Sequence, residues 1–368
     1  MRVRSVGVEE EFLLVDPESG TPVAMSEAVL AVAERTGDGE VEDEQGAGLT
    51  KELQREQLET GTRPCTELDQ LAAELRAVRA TAVAAAGDTG TALVPLGTSP
   101  LPVEPTLTPA RRYNEMARRF GLTVNEQLTC GCHVHVAIDS AEQGVAVLDH
   151  IRPWLAPLIA LSANSPFWQG EDSGYASFRS QVWTRWPSAG VYEPFGSVQG
   201  YRDFVATALA TDTLLDEGML YLDARLSRTH PTVEVRVGDV CRDPDDAVLL
   251  AALVRGLVET AIAEWGAGTP PQAVRTEVLR LATWRAGRDG VRGALLDPRT
   301  WRPAPAGEVL PALVDRVAPA LEAYGDLGPV RELLRATLER GSGADRQRAV
   351  FQRTGSLSKV VLDALPGA

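Results

Sequence analysis

The sequence predicts an α+β fold. Strand-like segments, rich in β-branched residues, recur at Val3–Val15, Thr129–Ile138 and Val233–Val237. Helical periodicity fills much of the chain between them and dominates from Asp246 onward. Several strands lack the spacing of βαβ units, which argues against a doubly wound sheet. With no internal repeat, low-complexity tract or clear linker, residues 1–368 read as one domain.

The elements follow in order. Val3–Val15 alternates and ends in the turn Asp16-Pro17-Glu18-Ser19-Gly20. A helix is expected over Glu27–Arg35, a Gly/Asp/Glu-rich loop over Gly37–Gly48 and a strand-like stretch over Leu49–Thr62. From Thr66 to Ala86 apolar residues recur every three or four positions, and Thr66-Glu67-Leu68-Asp69 is the capping start of that helix. A short strand, Ala92–Thr98, precedes a Pro-punctuated loop to Pro109, a helix over Arg111–Phe120 and the strand Thr129–Ile138. The helical region Gln143–Ala163 is broken near Pro153 and Pro157. It runs into Ser165-Pro166-Phe167-Trp168-Gln169-Gly170 and a Gly/Ser-rich loop, after which Tyr201–Leu209 is helical.

Composition narrows the function. Against 36 basic residues stand 51 acidic ones, a formal net charge of -15, which repels a polyanion such as nucleic acid. Cys65, Cys130, Cys132 and Cys241 are too few for a disulfide scaffold in a chain of 368 residues. The opening MRVRSVGVEEEF turns acidic before any signal-peptide core forms, and Ala247–Trp265, with Arg255, Glu259 and Glu264 at helical spacing, reads as an amphipathic helix packed on a core. A soluble cytoplasmic protein with no membrane partner is expected.

Four segments concentrate carboxylates or imidazoles. In Gly7-Val8-Glu9-Glu10-Glu11-Phe12 a strand points Glu9 and Glu11 to one face. Either that face is solvated, or cations neutralise it, and oxygen ligands suit Mg²⁺. Glu52 and Glu59, in Lys51–Thr60, have opposite parity and share a face only if the strand bulges between them. In Cys130-Gly131-Cys132-His133-Val134-His135 two imidazoles share one strand face, a common ligand arrangement. The neighbouring cysteines leave open a zinc site of Cys130, Cys132 and His133. Glu234 and Arg236, in Thr232–Asp239, share a face either as a salt bridge or as a metal ligand beside a phosphate-facing arginine.

Together GVEEEF, KELQREQLETGT, CGCHVHV, LSANSPFWQG, SFRSQVWTRWPSAG and TVEVRVGD resemble the YbdK-type carboxylate–amine ligases. This is the glutamate–cysteine ligase 2 family of the glutamine synthetase-like superfamily. The resemblance runs from residue 3 to about residue 360, with the motifs in the family's order. It implies a curved, mainly antiparallel sheet of about six strands with helices on its outer face. It also implies that Glu9, Glu11, Glu52, Glu59, His133 and Glu234 hold Mg²⁺, or Mn²⁺ in its place, while Arg236 faces the phosphates of ATP. Arg285 and Arg288, in TWRAGRDG, are candidates for the nucleotide site. Arg179 is the candidate grip on a substrate carboxylate, or else a structural ion pair.

The chemistry so implied is transfer of the γ-phosphoryl group of ATP to a carboxylate, then attack of an amine on the acyl phosphate. Glutamate or an analogue is expected as the acid, cysteine or another amine as the nucleophile, and a homodimer as the assembly. No GxxxxGK[ST] loop is present, so metals and arginines must hold the phosphates. Two rivals are a metal-dependent amidase on the same scaffold and a protein that binds structural zinc.

Overall fold

The computed structural model describes residues 3–36 and 47–367. All of the expected Gly37–Gly48 loop except its last two residues lies outside them.

Antiparallel pairing builds one open sheet from β1 (Val6–Val15), β2 (Gly48–Lys51), β3 (Gln57–Gly61), β4 (Ala92–Val94), β5 (Gly131–Ala137), β8 (Ala224–Leu226) and β9 (Thr232–Asp239). The short hairpins β6–β7 (Phe167–Trp168, Glu171–Asp172) and β10–β11 (Ala294–Leu296, Pro303–Pro305) stand apart. The sheet order is β2-β3-β1-β5-β9-β8, with β4 pairing the far end of β1 at Leu13–Val15. The expected six strands are thus the main path, and β4 is the seventh.

Alternation sorts the side chains between two faces. On β1, Val6 and Val8 are buried with Cys132, Val134 and Val136 of β5 and Val233, Val235 and Val237 of β9. Helices cover this back face, chiefly Pro244–Gly266, Leu68–Gly87 and Leu155–Ser162. The opposite parity puts Glu9, Glu11, His133, His135, Glu234 and Arg236 on the front face, which is not filled by aliphatic side chains.

Three sequence expectations change. Leu49–Thr62 is a hairpin, β2 and β3, joined through residues 52–56. Glu52 therefore sits in the connection, and strand parity does not constrain it against Glu59. Helix Leu68–Gly87 has Glu67 at its N-cap without a side-chain cap, so Thr66 does not cap it. The charges of Pro244–Gly266 do not all line a solvated stripe: Arg255 is fully buried on Asp326, and Glu259 is buried against Arg4. Glu264 is half-buried and pairs Arg316. The run Ala141–Ser162 is long and apolar enough to cross a membrane by composition, but a 3-10 turn at Arg152–Trp154 interrupts it and 94% of its window is buried in the fold.

Candidate active site

The front face opens into a cavity of about 310 Å³ lined by Glu9, Glu11, Glu52, Glu59, His133, His135, Glu234 and Arg236. Register explains the convergence. Glu11 lies opposite Glu59 of β3, Glu9 opposite His133 of β5, and His135 opposite Glu234 of β9.

Two sets of donor atoms come within 4.8 Å of one another: Glu9, His133 and Glu234, and Glu11, Glu59 and His133. His133 belongs to both. Its Nδ1 is 3.2 Å from Glu9 Oε2, and its Nε2 is buried without a hydrogen-bond partner, 3.8 Å from Glu11 Oε1. His135 Nε2, also without a hydrogen-bond partner, is 3.1 Å from Glu9 Oε1. Glu52 stands beside Glu59 on the cavity wall but outside both sets.

The carboxylates do not share one electrostatic state. Burial, then the charge of Glu52, pushes Glu11 up to about 7, against the pull of Arg179, Arg236 and the Gly131 N–H, which donates to it over 2.5 Å. Glu59 is raised well above the usual range by burial and by Glu52, Glu9 and Glu11. Glu234 goes the other way: burial would raise it, but Arg236 and Arg225 hold it far down. Glu9 is likewise held low, because His135 and His133 outweigh its burial. His133 falls to about 4 through burial and the Arg236 charge, so the imidazole is neutral at pH 7 and offers a lone pair.

The buried His133 Nε2, without a hydrogen-bond partner beside carboxylates that repel one another, belongs to a donor set that could hold a divalent cation. Oxygen donors suit Mg²⁺, and the shared imidazole also suits Mn²⁺.

Arg225 escaped the sequence reading. It lies opposite Glu234 and clamps it, Nε to Oε2 at 2.7 Å and Nη2 to Oε1 at 3.2 Å, while Arg236 bonds the same carboxylate. The turn-prone Ser227–Pro231 run ahead of β9 was the available signal, since a hairpin there brings residue 225 to residue 234. Tyr113, Trp183, Tyr221, Arg112 and Arg228 are also on the wall, and the Trp183 ring packs under both Arg179 and Arg236, centroid distances 5.3 and 5.9 Å.

The other expected site residues lie elsewhere. Arg179 is 1% exposed and sits beneath Gly131, not on the cavity wall. Its backbone N–H donates to Ser165 Oγ, which in turn donates to Asp239 Oδ2. Asp239 also accepts from Asn164 N and Ser177 Oγ, so the LSANSPF, SFRS and VGD motifs meet in one buried hydrogen-bond cluster. Arg285 and Arg288 lie on helix Thr276–Asp289, and neither lines the cavity; Arg288 stacks on Tyr175 at 5.6 Å. The zinc set does not assemble: Cys130 and Cys132 are buried in two separate apolar clusters, and Cys132 points to the face opposite His133.

A model of "Glutamate-cysteine ligase family 2" matches residues 5–363. Two Streptomyces relatives are each 52% identical. One, from S. avermitilis, is called "Putative glutamate--cysteine ligase 2-1" and aligns over 99% of both chains. The other, from S. coelicolor, is called "Putative glutamate--cysteine ligase 2" and aligns over 98% of this chain and 97% of its own. Among solved structures, glutamate–cysteine ligase of Francisella tularensis, crystallised with AMP, superposes with a TM-score of 0.68 over 99% of this chain and 88% of its own, at 14% identity. A bifunctional glutathione synthetase of Pasteurella multocida gives 0.72 at 16% identity over 98% of this chain, which spans about half (51%) of that longer protein. At such identities these two likenesses speak to the fold.

Proposed function

The chain belongs to glutamate–cysteine ligase family 2, and from that premise we propose that it joins a carboxylate to an amine at the expense of ATP, through an acyl phosphate. The observation that carries this reading is the pair of donor sets sharing His133 inside one arginine-bordered cavity. A neutral His133 has one lone pair to give, so it would serve one cation, with Glu9 and Glu234 or with Glu11 and Glu59, and the other carboxylate pair would hold a second without it. Glu52 would add charge from the β2–β3 connection. Mg²⁺ or Mn²⁺, when bound, supplies charge neutralisation for the phosphate oxygens.

The chain's own residues do the rest. Arg236 keeps its charge at any working pH and borders the cavity, where it favours negative charge developing on a transferring phosphoryl group. Glu234, gripped by Arg225 and Arg236, stays ionised and fixed in direction. Glutamate as acid and cysteine as amine are the first substrates to try, following the relatives' names. With Arg179 beneath the cavity floor, its part is to hold Gly131 and the Glu11 carboxylate in place, and a substrate carboxylate would meet Arg225 or Arg236 first.

The experiment is ADP release from Mg·ATP with glutamate plus cysteine, then with other acids and amines. Release that requires both an acid and an amine supports the ligase. Amide hydrolysis without nucleotide would replace it with the amidase reading.

A further inference from the structure

The back face of the sheet carries a second cavity, of about 600 Å³, that shares no lining residue with the carboxylate cavity. Its walls are largely apolar: Phe12 of β1, Leu93 of β4, Ala80, Val83 and Ala84 of helix Leu68–Gly87, and Leu365 near the chain's end. Four arginines line it, Arg76, Arg79, Arg242 and Arg346, against two carboxylates, Asp243 and Asp363. In a chain of net charge -15 this is a local reversal of sign.

Three of the arginines are engaged. Arg76 pairs Asp245, Arg79 grips Glu10 with two bonds of 2.7 and 2.6 Å, and Arg242 Nη2 bonds Asp363 Oδ2 at 2.7 Å. Asp243 is committed to Arg340 and to the N-terminus of helix Pro244–Gly266. Arg346 has no ion pair with a described residue. Arg242 is 9% exposed, yet its Nη1 is buried with no hydrogen-bond partner. Burial, then the like charge of Arg346, presses its guanidinium toward the neutral form. A buried donor without a partner, facing an unneutralised second cation, is costly unless an acceptor arrives. Guanidinium pairs match the oxygens of a carboxylate, phosphate or sulfonate, and apolar walls with few polar anchors are the build of small-molecule sites.

We propose that this cavity is a second ligand site, taking a small molecule with one anionic head group on an apolar body. Arg242 and Arg346 take the head, and Phe12, Val83 and Ala84 receive the body. The site is independent of the ligase reading, because it lies on the other face of β1.

The test is fluorescence titration of the full chain with 8-anilinonaphthalene-1-sulfonate, an aromatic body with a single sulfonate. Saturable binding is expected, unaffected by saturating Mg·ATP. In Arg346→Ala it should weaken by roughly tenfold, the worth of one charge-assisted hydrogen bond. Ala84→Trp, a change at an exposed helix position that fills the cavity, should abolish it. On the unaltered chain, N-phenyl-1-naphthylamine, the same aromatic body without the sulfonate, should bind at least about tenfold more weakly. Equal affinity for the two dyes, binding unchanged in both variants, displacement by Mg·ATP, or no saturable binding would each overturn the proposal.

Discussion

Glu11 and Glu59 face one another directly across the β1–β3 pair, a buried and a half-buried carboxylate on the same side of one sheet. Like charges directly opposite destabilise a strand pair, and here Glu52 and Glu9 add to the repulsion. The fold tolerates the arrangement because these groups hold protons, or because a cation replaces them.

Replacing Glu59 with Gln removes a carboxyl that burial and its acidic neighbours hold toward the protonated form, while keeping its shape. The metal-free protein is expected to hold its stability or gain about 0.2–1 kcal/mol. Ligase turnover should fall by more than about a hundredfold, since even outer-shell partners of a metal are worth ten to a hundred. Thermal unfolding beside ADP-release kinetics checks both. Loss of stability together with full activity would remove Glu59 from the site.

Glu11 titrates near 7 in the fold, above its ordinary value, as does Asp223, raised by burial to about 7. A carboxyl with a raised folded pKa binds a proton that the unfolded chain has already released. Its contribution to stability is therefore lost as pH rises from the ordinary carboxylate range through about 7. Saturating Mg²⁺ should flatten this decline by competing for the same oxygens. Calorimetry in buffers of different ionisation enthalpy should show proton release on Mg²⁺ binding at pH 6 that shrinks by pH 8. An identical proton count at both pH values would count against Glu11 as a ligand.

Removing Arg225 leaves Glu234 with Arg236 as its remaining guanidinium partner. Arg225→Ala is expected to cost about 1–3 kcal/mol, below the loss of a sole partner. It should also weaken metal affinity by letting the carboxylate turn. Arg225→Lys restores charge but not the two-point grip. It should recover stability more than it recovers metal binding, measured by unfolding and by Mn²⁺ titration.

Gly131 is small because Arg179 lies against it. A Cβ there would meet Arg179 Nη2 at 2.3 Å and His133 Nε2 at 3.0 Å, and Arg179, 1% exposed and packed on Trp183, has no room to yield. Gly131→Ala is expected to destabilise by about 1–3 kcal/mol, as overpacking does. It should lower kcat by displacing His133 and Glu11 while changing KM for the acid less. A rise confined to KM for the acid would instead favour Arg179 as a substrate grip.

The alternation of single strands was legible in the sequence. Because side chains on a strand repeat every two residues, Glu9 with Glu11, His133 with His135, and Glu234 with Arg236 each had to share a face. A β-branched apolar partner set on the other parity marks which face is core. The family motifs could be read for the same reason, each being a local pattern.

The rest was decided by the tertiary structure. Whether the three strand faces belong to one sheet, side by side, depends on pairings between residues about a hundred or more apart, such as Glu9 with His133 and His135 with Glu234. Glu52 joins the cluster through a connection whose path the parity rule does not describe, and Arg225 becomes a partner of Glu234 only once β8 pairs β9. Arginine gives the sequence reader the least, because its long, flexible side chain takes its role from whatever cavity the packed fold leaves beside it. Packing buried Arg179 under a glycine, set Arg285 and Arg288 away from the cavity, and placed Arg225 and Arg236 on its wall.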